Sequence, residues 1–400
     1  MRRLVADWVY PLKDGSPEGI EGGFVDIDES GFVIACGRPE EAPHPEVRAE
    51  RLRGAIIPSF VNTHCHIELS YMHGLFRKGT GMAGFIDQIN ALRDTTPLPQ
   101  RISLVERWMD TMWKRGVGAM ADISNCADSF GPKASSPMHT HTFIEVFGAE
   151  PSECEDIIRN AEILRDKARS FGLEASVTPH ACYTMSPQLL ASASVSGLSD
   201  GFLSYHCQES PQEDEMISYG TGLMAENRRA LGIKMPPVTG GSALGYFIDT
   251  VSAVCPEPLD GNLLLVHEVC LDKNGAAQIK KRIRRPFIAL CPCSNIFIHN
   301  MLPPIPLMRE SGIPLTIGTD SLSSNDELDP VSEMRVLLEN FQGLGLGELL
   351  VWACHNGAGF LRMSDVLGSI EPGKHPGIVH IDNLSPDGSL TAKSKSERLI

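Results

Sequence analysis

Basic residues are scarce in this chain: 35 Lys and Arg stand against 50 Asp and Glu, a formal net charge of −15 over 400 residues. A protein that grips phosphate backbones presents a basic face. None is visible, which excludes nucleic acid as an expected partner; the acidic surplus favours solubility. Long apolar runs are also missing. The opening Met1-Arg2-Arg3-Leu4-Val5-Ala6-Asp7-Trp8 has two arginines but no apolar stretch of signal length before Asp7. No later stretch is long and apolar enough to span a bilayer. Low-complexity tracts, flexible linkers and solenoid-type repeats are absent as well. The 11 cysteines are odd in number and scattered. Their one close pair, Cys291 and Cys293, lacks the second pair that a zinc ribbon needs. Several cysteines lie inside apolar runs, where small buried thiols are common, and the expected compartment is the reducing cytoplasm.

What is present is a folded α/β chain: 42% hydrophobic and 21% charged residues rule out a disordered one. Residues 1–57 read as short strands broken by turns, with Gly15, Gly19, Gly22, Gly23, Gly31 and Gly37 as punctuation. Residues 376–382 read as one more strand. A chain that begins and ends in strands predicts that its two ends join in one small β domain. Between them, short apolar strands alternate with helical stretches. Strands are predicted at 60–66, 118–124, 142–147, 175–180, 202–207, 263–267, 287–291 and 314–320. Helices such as 102–115, 153–170, 329–342 and 347–354 lie between them. Eight βα units in series specify a closed parallel barrel better than an open sheet. The expected architecture is therefore a (β/α)8 TIM barrel over 58–355, with 1–57 and 356–400 forming the accessory domain. Residues 208–245, rich in Glu, Ser, Met and Gly, read as a long loop with a helix, placed to act as a lid.

Chemistry in such a barrel gathers at the C-terminal strand ends. Residues i and i+2 of a strand share a face, so His64 and His66 can converge on one point. Alone, such a pair is a weak signal. His139 and His141 repeat it ahead of their strand, at the barrel floor, where no chemistry is expected. Two satisfied buried histidines would look the same. His206 and Asp320, each ending another strand, raise the signal: three imidazoles and a carboxylate suit zinc and leave room for a water. Asp320 could instead cap the following helix. Bound metal lowers the pKa of its water towards about 7, and Asp320 can also accept the water's proton. Glu209 leaves its strand over this point without needing to be a ligand and could protonate a ring nitrogen, or be an exposed loop glutamate. His267 could polarise the attacked group, with Glu268 beside it, or be a core histidine.

These residues resemble the amidohydrolase superfamily, in the deaminase branch that holds cytosine, adenosylhomocysteine and aminodeoxyfutalosine deaminases. The resemblance rests on residues 58–66, 177–184, 206–210, 291–295, 317–321 and 368–374, and so spans the chain. It implies metal ligands at His64, His66, His206 and Asp320, and proton transfer by Glu209, His267 and Asp320. It also implies a substrate contact at His180 and a β-sandwich form for the accessory domain; Asn295 and Ser321 are further candidate substrate contacts, and Glu68 could be a recognition residue or only a helix-start charge near a positive dipole end. No lysine ends the fourth strand, where two-metal branches carry a bridging carbamate. One divalent ion is expected, zinc or ferrous iron. The run His66-Ile67-Glu68-Leu69-Ser70, with Gly79-Thr80-Gly81-Met82, is most similar to the aminodeoxyfutalosine group. Three departures bear on the substrate: Cys207-Gln208 between His206 and Glu209, Lys374-His375-Pro376-Gly377 near the end, and no Trp and Glu in the loop after strand one. The expected reaction is hydrolytic release of ammonia from an adenine-like nucleoside or related heterocycle. Alternatives are another C–N or C–Cl bond, as in a cyclic amide or a chlorotriazine, or a barrel that only binds its ligand. The expected partners are a small-molecule substrate and, at most, a second copy of the chain as a homodimer.

Overall fold

The eight predicted barrel strands all form. In the computed structural model, which describes residues 1–93 and 95–400, they are β6 to β13, after five N-terminal strands: β1 (Arg2–Val9), β2 (Ile20–Glu21), β3 (Phe24–Ile27), β4 (Val33–Gly37) and β5 (Ala49–Pro58). The barrel strands are β6 (Phe60–Cys65), β7 (Val117–Ser124), β8 (His139–Val146), β9 (Glu174–Pro179), β10 (Phe202–Cys207), β11 (Leu259–His267), β12 (Ile283–Leu290) and β13 (Leu315–Ile317). They read as apolar runs because both faces are buried. Ala119, Ala121 and Ile123 of β7 join Leu264 and Val266 of β11 around Phe360. Met120, Leu263 and Leu265, one residue out of step, pack with the helical layer.

The strands form two parallel four-stranded sheets, β6-β7-β8-β9 and β10-β11-β12-β13. Two narrow seams close them into a ring, through parallel bridges Cys65↔Asp320 and Ala181↔His206. At the first seam the His64 carbonyl accepts from the amides of Thr319 at 2.9 Å and Asp320 at 3.0 Å. At the second, the His180 carbonyl accepts from the His206 amide at 3.0 Å.

The two chain ends share one sheet. Strands β14 (Ile378–Ile381) and β15 (Ser396–Arg398) extend the N-terminal strands into one seven-stranded sheet, β15-β14-β5-β1-β3-β4, with β2 beside β1. Leu4, Val25, Ile27, Ile56 and Ile378 form its core, and Arg3 grips buried Asp26 with two hydrogen bonds of 2.7 and 2.6 Å. No described helix is long and apolar enough to cross a membrane.

Two expectations need correction. Residues 208–245 are not a long loop with one helix: they hold helices Pro211–Tyr219 and Gly222–Ala230 and the start of Ala243–Ser252. Ser210 and Ser242 cap the first and third by accepting from Glu213 and Gly245 amides. His139 and His141 do not precede their strand but open it. They do lie at its N-terminal end, where Glu174 stands 3.5 Å from each.

Gly318 permits the first seam. A Cβ there would stand 2.7 Å from His64 Cβ and 3.0 Å from Cys291 Sγ. Gly318→Ala is therefore expected to destabilise the fold by about 1–3 kcal/mol through overpacking and to lower metal retention. Denaturant unfolding and metal analysis check this; unchanged values in both would mean that the seam has slack.

Candidate active site

His64, His66 and His206 turn their Nε2 atoms to one point. The three separations are 3.2, 3.2 and 3.3 Å. One hydrogen bond can join two imidazole nitrogens, but three that face each other cannot all be satisfied by protons. A tetrahedral ion with zinc–nitrogen bonds of about 2.0–2.1 Å sets nitrogen–nitrogen edges of about 3.3–3.4 Å, which this triangle matches. The protonation states agree. Burial and the neighbouring imidazoles push His64 well below the ordinary range. Burial, against the pull of Asp320, takes His66 down to about 3. Burial and His180 take His206 down to about 4. All three are neutral near pH 7, each with a lone pair to give. Asp320 Oδ1 lies 3.6 Å from His66 Nε2 and 3.8 Å from His64 Nε2. The donor set thus fits one divalent ion.

A second layer of side chains holds these groups. Asp320 Oδ2 accepts from Ser294 Oγ at 2.6 Å and Ser324 Oγ at 2.9 Å, which leaves Oδ1 facing the histidines. His206 Nδ1 lies 3.3 Å from the His180 carbonyl and 3.5 Å from Glu145 Oε1. A carbonyl can only accept, so Nδ1 carries the proton and Nε2 the lone pair. The amide after His66, that of Ile67, donates to Asp122 Oδ1 at 2.8 Å, and Asp122 is paired with buried Lys133 at 2.5 Å.

Beside the triangle stands Glu209. Its Oε1 is 3.6 Å from His267 Nε2 and 3.8 Å from His299 Nε2. Burial opposes its ionisation, yet His267, His299 and His206 hold its carboxyl down to about 2. His267 Nδ1 faces Asn295 Nδ2 at 3.1 Å, an arrangement that makes Nδ1 the acceptor and puts the ring proton on Nε2, toward Glu209. A cavity of about 900 Å³, mouth included, opens over these groups. His66, His180, His206, Glu209, His267 and Asp320 all line it, and apolar side chains form its outer wall.

Of the predicted substrate contacts, His180 and Ser321 line this cavity. Burial pushes His180 down to about 4, and its Nδ1 is 2.8 Å from Thr184 Oγ1. Asn295 is fully buried behind His267 and lies off the cavity lining. Glu68 is also turned away: its carboxylate accepts from the amides of Asn125 at 3.0 Å and Cys126 at 3.4 Å. It fastens one loop to another instead of facing the metal-site cavity. Sequence reasoning missed Glu145, His299, Ser294, Ser324 and Asn125. Glu145 did carry a signal, an acid inside the apolar end of β8. His299 carried none, since it ends a helix rather than a strand.

The sequence matches the amidohydrolase family over residues 55–397. Among curated relatives, an adenosine deaminase of Helicobacter pylori is 25% identical over 386 residues, covering 94% of this chain and 90% of its own. An aminodeoxyfutalosine deaminase of Deinococcus radiodurans is 23% identical over 361 residues, covering 86% and 81%. Among solved structures, Helicobacter pylori aminofutalosine deaminase in complex with methylthio-coformycin superimposes with a TM-score of 0.81 at 20% identity, covering 100% of both chains. At that identity the likeness concerns the fold.

Removing the outer partner of His206 should loosen the ion without deleting a ligand. Glu145→Gln is expected to weaken metal affinity about 10- to 100-fold, measured by chelator competition. His206→Ala and Asp320→Ala should leave almost no metal per chain after dialysis. Full retention by both alanine variants would place the ion elsewhere.

Proposed function

This chain belongs to the amidohydrolase family, and we propose that it is a zinc-dependent hydrolytic deaminase releasing ammonia from an adenine-type nucleoside, with aminodeoxyfutalosine as the preferred substrate. The observation that carries this reading is Glu209: an ionised carboxylate beside the three-imidazole point, on the cavity wall, between two histidines. The curated deaminase relatives support it. Three nitrogens and one oxygen favour zinc, and ferrous iron suits the same donors. The reading keeps the barrel at 58–355 and gives the two chain ends, 1–57 and 356–400, to one β-sandwich-type domain.

A divalent ion held by His64, His66, His206 and Asp320 would supply an activated water, whose pKa it lowers towards about 7. The chain's own groups move the protons. Glu209 is ionised at rest, so its Oε1 can accept a proton and return it to the ring nitrogen next to the amino-bearing carbon. Protonating that nitrogen makes the carbon electrophilic, and water adds there to give a tetrahedral carbon. His267, with its proton on Nε2, donates toward the incoming oxygen and steadies Glu209. Asp320 Oδ1, held by Ser294 and Ser324 at its other oxygen, takes a second proton and delivers it to the departing amine. His180 contacts the substrate from the strand-four end.

Metal-quantified protein should release ammonia from one adenine nucleoside in a panel of aminodeoxyfutalosine, adenosine, methylthioadenosine and adenosylhomocysteine. Chloride from a chlorotriazine, or opening of a cyclic amide, with no ammonia from any member would replace the deaminase reading. Glu209→Gln should keep about one metal per chain and lose about 10²- to 10⁴-fold in kcat. Full activity in that variant would remove Glu209 from the proton path.

A further inference from the structure

Lys133 stands on the short helix Phe130–Ser135, yet its side chain and that of Asp122 on β7 are both 0% exposed. Its Nζ meets Asp122 Oδ2 at 2.5 Å and donates to Ser124 Oγ at 2.9 Å and Thr142 Oγ1 at 3.3 Å. Each of the three ammonium protons thus has an acceptor. Ser124 Oγ donates in turn to Asp122 Oδ2 at 3.3 Å. With Oδ2 held from two sides, Oδ1 is left to accept from the Ile67 amide at 2.8 Å.

Taking two charges out of water is costly, and apolar residues of similar volume fill such a place as stably or more so. Stability alone therefore does not account for the pair. Its surroundings do. Between the register pairs Asn62↔Met120 and Cys65↔Asp122, β6 spends three residue steps where β7 spends two. The extra residue makes a bulge that contains His64. His66 follows directly after the last pair, where the β6–β7 ladder stops.

A 3-10 helix, Ile67–Met72, begins at that point, and the His66 side chain does not cap it. The amide of Ile67 opens this helix and has no acceptor within it. Asp122 supplies one from the neighbouring strand. The chain on the far side of His66 is thus held by a carboxylate where the sheet no longer holds it.

We propose that Lys133 and Asp122 are positioning residues for the metal centre. The ammonium keeps Asp122 turned with Oδ1 on the Ile67 amide, and that bond sets the direction in which His66 presents its Nε2. Neither side chain lines the metal-site cavity, so neither touches substrate. The proposal rests on His66 as a ligand and is independent of which substrate the enzyme takes. Without the ammonium, Asp122 is an unpaired buried charge that draws in water, and the tie to Ile67 slackens.

The test uses the full chain loaded with zinc or, for its visible spectrum, with cobalt(II). Lys133→Met keeps the length of the side chain and removes its charge. It should weaken metal affinity about 10- to 100-fold in chelator competition and shift the cobalt absorption bands. Adding Asp122→Asn to Lys133→Met removes both charges and keeps a carbonyl oxygen for Ile67. That double variant should recover most of the lost affinity and the wild-type cobalt spectrum. A pair that only stabilises the fold behaves otherwise: Lys133→Met would lower the unfolding midpoint and leave the folded protein's affinity and cobalt spectrum unchanged, which would overturn the proposal. If Lys133→Met does not fold, Asp122→Asn alone decides. There the ammonium draws the one remaining oxygen off Ile67, so affinity should fall by a similar factor, and wild-type affinity rejects the assignment. If the wild-type chain binds no ion, the ligand reading fails separately. NMR of histidine-labelled protein then decides: a displaced His66 ring resonance in Asp122→Asn upholds the positioning role, and an unchanged one rejects it.

Discussion

Three neutral imidazole nitrogens held within 3.2–3.3 Å of one another constrain everything around them. Without a cation, their lone pairs face each other in a low-dielectric interior. That is costly, because a buried polar atom needs a partner. The barrel accommodates the triangle by putting its members on the two seams where the half-barrels meet. His64 supplies the carbonyl that receives Thr319 and Asp320 at one seam, and His206 gives its amide to His180 at the other. Ring closure and ligand placement are therefore one set of hydrogen bonds. Any slip in strand register moves a ligand.

The same economy governs the buried acids. Four carboxyl groups outside the ligand set each hold backbone amides of a loop that leaves a strand end. Asp122 holds Ile67 after β6, and Glu68 holds Asn125 and Cys126 after β7. Glu213 holds Gln208 and Glu209 after β10, and Glu333 holds Cys293 after β12. Burial pushes Glu68 up to about 7 and Glu213 and Glu333 up to about 8. Such groups are poor surface acids but good tethers: a short carboxyl with two acceptor oxygens can fix two amides at once. Glu209 is the opposite case. It is equally buried, but three imidazoles surround it and hold it ionised. Two glutamates four residues apart thus differ because one faces backbone amides and a thiol while the other faces histidines.

This contrast explains what the sequence could and could not reveal. His64, His66, His206 and Asp320 were legible because each ends an apolar run, and a strand end in a parallel barrel points to the mouth. The eight strands were legible for the same reason, with boundaries off by a few residues where polar ends such as His139 and Arg284 continue the ladder. The orientation of Glu68 and Asn295 was not legible, because a local pattern cannot say which way a loop folds back. Both lie near the site in sequence, yet both turn to protein partners. His299 was invisible, since it reaches Glu209 only through the packing of helix Pro292–His299. Residues 208–245 were too polar on average to show a periodicity, although Ser210 and Ser242 are helix caps that could have been read.

The backbone at the strand ends carries the remaining part of the design. Gln208, His267, Glu268 and Asp320 all have positive φ, at 48°, 80°, 49° and 55°. Left-handed backbone in residues other than glycine costs on the order of 1–3 kcal/mol each and persists only where the surroundings over-determine it. Glycine would relieve that strain at no steric cost, so its absence has to be explained by the side chains. His267 and Asp320 must leave their strands abruptly and still project over the barrel axis; an extended residue would carry the chain outward and its side chain with it. Gln208 makes the corresponding turn one residue before Glu209, with its amide and that of Glu209 held on Glu213. The strained turns therefore lie where a reacting group must project inward while its chain runs outward, and the tethers and seams are what hold them there.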